Sequence, residues 1–254
     1  MIRVIKKIDE WKQLRNSEFF IDKKIGFVPT MGALHEAHAS LIRKSWNEND
    51  ITVVSIFINP TQFYDPDDFI NYPITYDEDL KILNDESVDY LFYPEYQSLY
   101  PDNYKYKIVE TEFSKILCGA SRPGHFDGVL SVVMKLFNII RPHKAYFGEK
   151  DYQQLKLIEG MVKAFFMDLK IIACPIVRAE NGLALSSRNK RLSNNSQITA
   201  SEFPLLLKQN LSVDQIKIQL EEKGFKVDYI TELNGRRFGA VYLNNVRLID
   251  NVEI

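Results

Sequence analysis

The chain has 254 residues, which is long enough for one large domain or two modest ones with a substantial buried core. Apolar residues make up 45% and charged residues 26%, a balance that is typical of folded domains and excludes wholesale disorder. Because 32 basic residues face 34 acidic ones, the net charge is -2, and we expect neither nucleic acid nor an anionic membrane as a partner.

The amino-terminal segment and the cysteines indicate where the protein works. Charged side chains interrupt the first ten residues, where a signal peptide needs a continuous apolar stretch. Every apolar run is too short or too polar to cross a bilayer. Cys118 and Cys174 match no metal-binding or redox spacing, as expected in a reducing compartment. We therefore expect a cytoplasmic protein without a disulfide framework.

The first part of the chain alternates strand-like and helix-like segments. Strand patterns cover residues 25–29, 51–58, 89–93, 145–147 and 169–173, and helix patterns cover residues 35–47, 76–84, 127–140 and 151–166. The apolar run at 51–58 is typical of a parallel strand buried on both faces. The alternation predicts a doubly wound α/β domain over residues 1–175.

The pattern changes beyond Pro175. A polar loop is followed by two helix patterns, which begin at Asn194 and after Ser212. Two strand patterns then cover residues 225–232 and 240–243. Pro204 interrupts the first of these helix patterns, and Asn234-Gly235 is typical of a tight turn between strands. We predict a small α+β domain over residues 176–254.

Two histidines, His35 and His38, stand at the start of the first predicted helix. Their spacing places both imidazoles on one face, beside the free N–H groups and positive dipole end that attract phosphate. A pair of surface or core histidines without a ligand is one alternative. A zinc site is another, although the i+4 spacing of H-E-x-x-H is missing and no further motif supplies ligands.

Two polar loops are placed to contact an anion. Ser186-Ser187-Arg188 offers hydroxyls, backbone N–H groups and a guanidinium at the predicted domain junction. Gly148-Glu149-Lys150-Asp151 follows a strand and opens a helix, so that Asp151 can cap the helix and Lys150 can point into the crevice at the strand ends. Each of these segments is also compatible with an ordinary turn.

Three more segments contain candidate ligands. Asn59-Pro60-Thr61-Gln62 follows the long apolar strand, where ligands bind in open α/β sheets, and a plain polar loop has the same appearance. Arg122 and His125 flank a Pro-Gly turn and offer a cation and an imidazole. An acidic loop with Asp65, Asp67 and Asp68 offers oxygen ligands to magnesium or is simply solvated, so the metal ligands stay unassigned.

The combination of these segments is more informative than any one of them. The sequence contains, in order, GFVPTMGALHEAH (26–38), VVSIFINPTQF (53–63), GASRPGHFDG (119–128), KLFN (135–138), AYFGEKDYQQ (145–154) and LSSRN (185–189). On these stretches, which cover the first predicted domain and the start of the second, the chain resembles the pantoate-beta-alanine ligase family.

The resemblance implies both a fold and an activity. The fold is a Rossmann-like nucleotidyltransferase domain, similar to class I aminoacyl-tRNA synthetases, followed by a smaller α+β lid domain. The activity is the ATP- and Mg²⁺-dependent condensation of (R)-pantoate with beta-alanine through pantoyl adenylate, which gives pantothenate, AMP and pyrophosphate. The resemblance also implies a homodimer.

The resemblance implies roles for individual residues. Those expected to contact ATP are Met31, Gly32, Ala33, Leu34, His35, Glu36, Ala37, His38, Gly148, Glu149, Lys150, Asp151, Val177, Leu185, Ser186, Ser187 and Arg188. His35, His38, Lys150 and Arg188 are expected to act on the phosphates, with His38 in the acid role. Substrate binding is assigned to Gln62 and Gln154, with Asn59, Arg122 and His125 as further candidates.

The sequence departs from the family pattern at a few positions. Ala37 stands where the family has glycine, and its methyl group is predicted to crowd ATP. Leu185 replaces a commoner Met, a nearly isosteric change that we expect to be harmless. Residues 64–66 and 178–182 also differ, and the second domain is shorter than the resemblance leads us to expect.

Two other functions compete with the ligase interpretation. A related nucleotidyltransferase would use a phosphate instead of a carboxylate as the attacking group, but residues 59–62 and 122–125 match the pantoate-using family specifically. A regulatory protein that binds nucleotide without turnover is favoured only by Ala37 and the short second domain. The intact His35, His38 and Lys150 argue against it.

Overall fold

The computed structural model describes residues 2–254, and its centre is a sheet of six parallel strands. The strands are β1 (Arg3–Ile5), β2 (Ile25–Thr30), β3 (Ile51–Ile56), β4 (Tyr90–Phe92), β5 (Lys144–Gly148) and β6 (Lys170–Cys174), in the spatial order β1-β4-β3-β2-β5-β6. The predicted doubly wound parallel sheet is therefore confirmed.

The order of the strands reverses at β2. From β2 the chain steps outward through β3 and β4, and later returns to the other side of β2 with β5 and β6. Two neighbouring strands whose connections run to opposite sides leave a crevice at their carboxyl ends, which is the usual ligand site of open α/β sheets. Here that crevice lies between β2 and β5.

Eleven helices pack around the two sheets of residues 2–254. They are α1 (Ile8–Arg15), α2 (Glu36–Glu48), α3 (Pro66–Ile70), α4 (Tyr76–Asp85), α5 (Tyr96–Leu99), α6 (Cys118–Ser121), α7 (His125–Ile140), α8 (Tyr152–Ala164), α9 (Asn194–Ala200), α10 (Glu202–Lys208) and α11 (Val213–Glu222). The helices predicted in the first 175 residues correspond to α2, α4, α7 and α8, with ends that differ by at most two residues.

Alternate residues of the central strands pack into two separate hydrophobic cores, one on each face of the sheet. Phe27 and Val53 pack on the face covered by α7, whereas Val28 and Val54 pack on the face that contains Ile42 of α2. All six residues of β3 are buried, because helices cover both faces of the sheet. This confirms the prediction that the apolar run at 51–58 forms a parallel strand buried on both faces.

The first strand and helix were not predicted. β1 has only three residues and pairs with β4 alone, at the edge of the sheet. In α1, Trp11 is the single buried residue, although its ring is fully enclosed against Phe20 and Tyr90. Elements this short carry too few apolar positions for a recognisable period.

The carboxyl-terminal part contains a three-stranded antiparallel sheet of β7 (Lys226–Leu233), β8 (Arg236–Leu243) and β9 (Val246–Glu253). Asn234 and Gly235 have φ of 51° and 71°, which confirms the predicted tight turn. Asn244 and Asn245 make a second such turn at φ of 48° and 62°, and β9 was missed because this turn has no glycine.

A separate core supports this part of the chain. Leu207, Leu220 and Val241 are fully buried where α10 and α11 cover the antiparallel sheet. The helix break expected near Pro204 falls at Ser201, between α9 and α10. The exact division at residues 175 and 176 stays a prediction. Within residues 2–254, no helix is both long and apolar enough to span a membrane.

Candidate active site

A cleft with a volume of about 220 Å³ opens at the carboxyl ends of β2 and β5. The turn after β2, the first turns of α2 and α8, one side of α7 and the segment around residues 185–188 enclose it. Most of the predicted site residues line this cleft: Met31, His35, Ala37, His38, Asn59, Gln62, Gly148, Lys150, Asp151, Gln154, Val177, Leu185, Ser186, Ser187 and Arg188.

Seven predicted residues lie outside the lining of the cleft. They are Gly32, Ala33, Leu34, Glu36, Glu149, Arg122 and His125. The side chain of Glu36 is exposed and pairs with Arg43 on the outer face of α2. The other six lie in or beside the turns that carry the lining residues, so the geometry gives them a supporting position.

A buried carboxylate shapes the turn between β2 and α2. Gly32 and Ala33 both have positive φ, 79° and 49°, and the backbone N–H groups of Ala33 and Leu34 donate to Asp79 at 2.9 and 2.7 Å. Thr75 donates to the same carboxylate at 3.1 Å. Burial raises the pKa of Asp79 in spite of these donors. The sequence left Asp79 only as a possible metal contact and did not reveal this role, because the nearer of its two backbone partners in the turn is 45 residues away along the chain.

The two predicted histidines lie side by side. Their ring centroids are 4.2 Å apart, and the Nδ1 atom of each is buried without a hydrogen-bond partner among residues 2–254. Burial and the charge of Lys150 lower the pKa of His35 to about 4, and burial and His35 lower the pKa of His38 to about 3. Both rings are therefore neutral at pH 7, and each can donate one hydrogen bond and accept another.

Lys150 lies in a 3-10 turn, Glu149–Asp151, that connects β5 to α8. Its side chain is 18% exposed, and its Nζ is 3.9 Å from the Asp151 carboxylate, which is too long for a hydrogen bond. The ammonium group therefore faces the cleft beside the histidines without a close counter-ion. This arrangement suits an anionic ligand.

Gln62 is held in place by its neighbours. Its side-chain oxygen accepts from Asn59 at 3.1 Å, while its amide group donates to the sulfur of Met31 at 3.0 Å. The backbone oxygen of Gln62 accepts from His125 Nδ1 at 2.7 Å and from Arg122 at 3.4 Å. Because thioether sulfur is a weak acceptor, a ligand carboxylate can take over the amide of Gln62.

This network changes the interpretation of the Arg122–His125 segment. Both side chains contact the backbone of Gln62 from behind, and Arg122 also contacts His125 at 3.1 Å. Burial together with the charges of Arg188 and Arg247 lowers the pKa of Arg122 to about 10. In the structure these two residues bind the backbone oxygen of Gln62. Direct contact of either residue with substrate stays a prediction.

Arg188 contacts a carboxylate of the acidic loop. Its Nε and Nη2 donate to Asp68 at 3.2 and 2.7 Å, and Arg191 donates to the same carboxylate at 3.0 Å. The hydroxyl of Ser187 donates to the carbonyl of Ala33 at 3.0 Å. These contacts join residues 187–191 to the parallel-sheet part of the chain.

One wall of the cleft is apolar. Val129, Val132, Val133 and Leu136 of α7 form it together with Phe57. Gln154 of α8 also lines the cleft and adds an amide group to it. A pocket of this kind fits a small ligand that has both methyl groups and oxygen atoms.

The carboxylates near the cleft do not form a cage for a metal ion. Within residues 2–254, no three His, Cys, Asp or Glu side chains are grouped to hold one. Asp68 and Asp79 are already engaged by arginine and backbone donors, and Asp65 caps α3. Asp151 is the carboxylate that lines the cleft. This set fits Mg²⁺ that arrives on nucleotide phosphates, since Mg²⁺ commonly takes one or two protein carboxylates there.

The parallel sheet and its cleft define an open α/β protein whose ligand site lies at the carboxyl ends of the strands. The model of the Pantoate-beta-alanine ligase family matches residues 3–253. The chain belongs to this family and is an enzyme of the ligase class.

Similar proteins extend over the whole chain. The pantothenate synthetase of Bdellovibrio bacteriovorus is 51% identical over 254 residues, which is 100% of both chains, and that of Legionella pneumophila strain Lens is 50% identical over 98% of this chain and 99% of the relative. The second domain is no shorter than that of these two relatives, since they match along their full length, while its length relative to the family at large stays a prediction.

Solved structures have the same fold. The pantoate-beta-alanine ligase from Francisella tularensis, complexed with beta-gamma ATP and beta-alanine, superposes with a TM-score of 0.96 at 45% identity and covers 100% of this chain and 98% of its own. Pantothenate synthetase from Thermus thermophilus superposes with a TM-score of 0.89 at 35% identity over 99% of both chains. These matches confirm the predicted fold class.

Proposed function

We propose that this chain condenses pantoate with beta-alanine in two steps that share the cleft. First a carboxylate oxygen of pantoate attacks the α-phosphorus of ATP, the bond to the bridging oxygen breaks and pyrophosphate leaves. Then the amine of beta-alanine attacks the acyl carbon, AMP leaves and the nitrogen loses a proton. The observation that carries the proposal is the meeting of Lys150, two neutral imidazoles and the Gln62 amide in one cleft.

The ATP half of the site is assigned to the first turns of α2 and α8. A carboxylate that attacks a phosphate is an anion approaching an anion, so the protein must neutralise and align the two. Lys150 supplies fixed positive charge, and His35 and His38 supply hydrogen-bond donors beside the amino terminus of α2. Because its ring is neutral at pH 7, the role assigned to His38 is donation of a hydrogen bond to a phosphate oxygen and not release of a proton, and its free Nδ1 atom supports this.

The pantoate half is assigned to Gln62, Gln154 and the apolar side of α7. Pantoate carries a carboxylate, two hydroxyl groups and two methyl groups on one carbon. The amide groups match its oxygen atoms, and Val132 and Val133 match its methyl groups. Asn59 supports this assignment by fixing the side-chain oxygen of Gln62.

We assign a lid role to residues 176–254. An acyl adenylate is a mixed anhydride that water destroys, so the reaction benefits from a closing segment. Ser186, Ser187 and Arg188 line the cleft from this part of the chain. Movement of the segment brings Arg188 to the phosphates if Asp68 releases it.

The proposal includes three further features. Asp151, the carboxylate that lines the cleft, would hold Mg²⁺ bound to ATP, and the ion would offset the charge of the phosphates. A homodimer is implied by family resemblance alone, and sedimentation of the purified protein tests it. A cytoplasmic location is supported by two buried cysteines, Cys118 and Cys174, that are both unpaired.

The reaction is tested by the exchange of labelled pyrophosphate into ATP without beta-alanine. Exchange that requires both pantoate and Mg²⁺ supports the adenylate step and identifies the acceptor. Exchange without pantoate would favour another nucleotidyltransferase. ATP binding with no exchange would favour the regulatory alternative, and Ala37 would be the first residue to change.

Two variants test the assignment of the phosphate contacts. His38→Ala and Lys150→Ala each remove one preorganised donor, and we expect exchange to slow by about 10²–10³-fold while the protein stays folded. Lys156→Ala is the matched control, since Lys156 is a lysine of α8 that pairs with Glu159 outside the cleft. Nearly normal exchange in either test variant would remove that residue from the catalytic assignment.

A further inference from the structure

The turn that carries Lys150 is fastened by a residue of the carboxyl-terminal strand. The side-chain amide of Asn251 in β9 donates to the carbonyl oxygens of Glu149 and Lys150, both at 3.0 Å. These two carbonyls lie on either side of the Lys150 Cα atom. The backbone of the lysine is therefore held from a sheet that belongs to the other part of the chain.

Asn251 is itself fixed in one orientation. It is 2% exposed, and its Oδ1 accepts from Arg236 at 2.5 Å. Because a guanidinium group has only donors, the oxygen of the amide must face Arg236 and the nitrogen must face the turn. The backbone N–H of Asn251 donates to Asp250 at 2.8 Å, and Arg178 holds that carboxylate with two bonds of 2.6 and 2.9 Å.

The side chain of Lys150 has no comparable anchor. Its ammonium group has Asp151 as the nearest carboxylate, at 3.9 Å, and it points into the cleft beside His35 and His38. The position of its charge is consequently set by the backbone from which it extends. Two hydrogen bonds from one rigid amide restrain that backbone more tightly than either alone.

We infer that Asn251 is a positioning residue for Lys150. Through it, the antiparallel sheet fixes the position of the Lys150 ammonium group that is proposed to bind the phosphates. The inference rests on the proposed function, since it assigns Lys150 to the phosphates. A donor stabilises a transition state only when it is already in place, and a displacement of about 1 Å can cost roughly 10²-fold in rate.

The test is a double-mutant cycle on pantoate-dependent pyrophosphate exchange. Asn251→Ala should lower kcat about 10–100-fold, with a much smaller change in the KM for pantoate. If Asn251 acts through Lys150, the same substitution in a Lys150→Ala background should lower kcat no further. A purely structural role would lower kcat by the same factor in both backgrounds.

Asn49→Ala is the matched control. The Asn49 amide also makes two bonds, to the Ser45 carbonyl at 2.8 Å and to the Tyr146 hydroxyl at 2.7 Å, but it contacts neither Glu149 nor Lys150. It should lose stability with little change in kcat. Asn251→Asp keeps the size and the Arg236 contact while removing the donor, and it takes the place of the alanine variant if that variant does not fold.

The outcomes separate the two proposals. The role of Asn251 alone would be overturned if the parent chain catalyses exchange but Asn251→Ala lowers kcat equally with and without Lys150. It would also be overturned if Asn251→Ala lowers kcat no more than Asn49→Ala does. Absence of pantoate-dependent exchange in the parent chain would overturn the proposed function, and the positioning role with it.

Discussion

Two histidines lie where an anion is expected to bind, and both are neutral because burial lowers their pKa. His35 and His38 are buried beside Lys150, and in such surroundings a second positive charge is disfavoured. A neutral imidazole still donates a hydrogen bond to a phosphate oxygen without adding repulsion. The chemistry of the cleft therefore depends on keeping these rings unprotonated at working pH.

The depressed pKa of His38 makes stability depend on pH. Between pH 6.5 and about 3 the unfolded chain binds a proton that the folded chain does not, so the free energy of unfolding falls as the pH falls. At pH 5 this linkage amounts to about 2 kcal/mol. His38→Gln removes it, and we expect the variant to lose less stability than the parent chain between pH 7.5 and pH 5.

Urea unfolding of both proteins at the two pH values measures the difference. The carboxylates that titrate in this range are common to both proteins, so their contribution cancels in the comparison. Parallel losses in the two proteins would show that His38 titrates near its ordinary pKa in the folded state.

Among the helices and strands, one close contact between α7 and the turn after β3 sets the position of Gln62. A Cβ atom on Gly128 of α7 would lie 2.4 Å from the Thr61 carbonyl oxygen and 2.7 Å from the Gln62 nitrogen. The Gly128 carbonyl also accepts from Asn59 at 3.1 Å. Only glycine lets the helix approach the turn this closely, because the atoms that would clash belong to the backbone.

Gly128→Ala should therefore push the Gln62 turn away from the cleft. We expect a stability loss of about 1–3 kcal/mol from overpacking, and a rise in the KM for pantoate that exceeds the rise in the KM for ATP. Steady-state kinetics with each substrate varied in turn measures both constants. Equal rises in the two constants would contradict the assignment of Gln62 to pantoate.

Gly160→Ala is the control for this substitution. Gly160 also lies within a helix, α8, but a Cβ there would meet nothing within 4 Å. The alanine should raise stability by about 0.5–1 kcal/mol and leave both constants unchanged.

Across the molecule as a whole, Asp68 joins the two parts of the chain by binding Arg188 and Arg191. Arg188 cannot give its full hydrogen-bonding capacity to a phosphate while Asp68 holds two of its donors. If Arg188 binds the ATP phosphates as proposed, the carboxylate competes with ATP for the guanidinium, and it also holds the segment at residues 187–191 in place.

Asp68→Asn tests this competition. It keeps the shape of the side chain but removes its charge, so we expect the KM for ATP to fall by roughly fivefold, equivalent to about 1 kcal/mol, while thermal stability decreases. Glu78→Gln is the control, since Glu78 pairs with Lys190 of the same segment at 3.2 Å on the surface. A higher KM for ATP in Asp68→Asn would mean that Asp68 positions Arg188 for ATP.

The parallel sheet and most of the cleft could be predicted from the amino-acid sequence. A buried strand such as Ile51–Ile56 is recognisable by its unbroken apolar run, and chemical groups placed directly after such strands meet at one edge of the sheet. His35, Gln62 and Lys150 were found for this reason, and each lines the cleft. Local spacing is enough wherever the backbone geometry is regular.

The residues that support the site became visible only in the folded chain. Asp79 binds the Ala33–Leu34 turn, Asp68 binds Arg188, and Asn251 binds the Lys150 turn, across 45, 120 and 101 residues of sequence. Folding also turns Arg122 and His125 toward the backbone of Gln62. A hydrogen bond between distant segments leaves no period or spacing in the sequence, because its geometry exists only after both segments have packed.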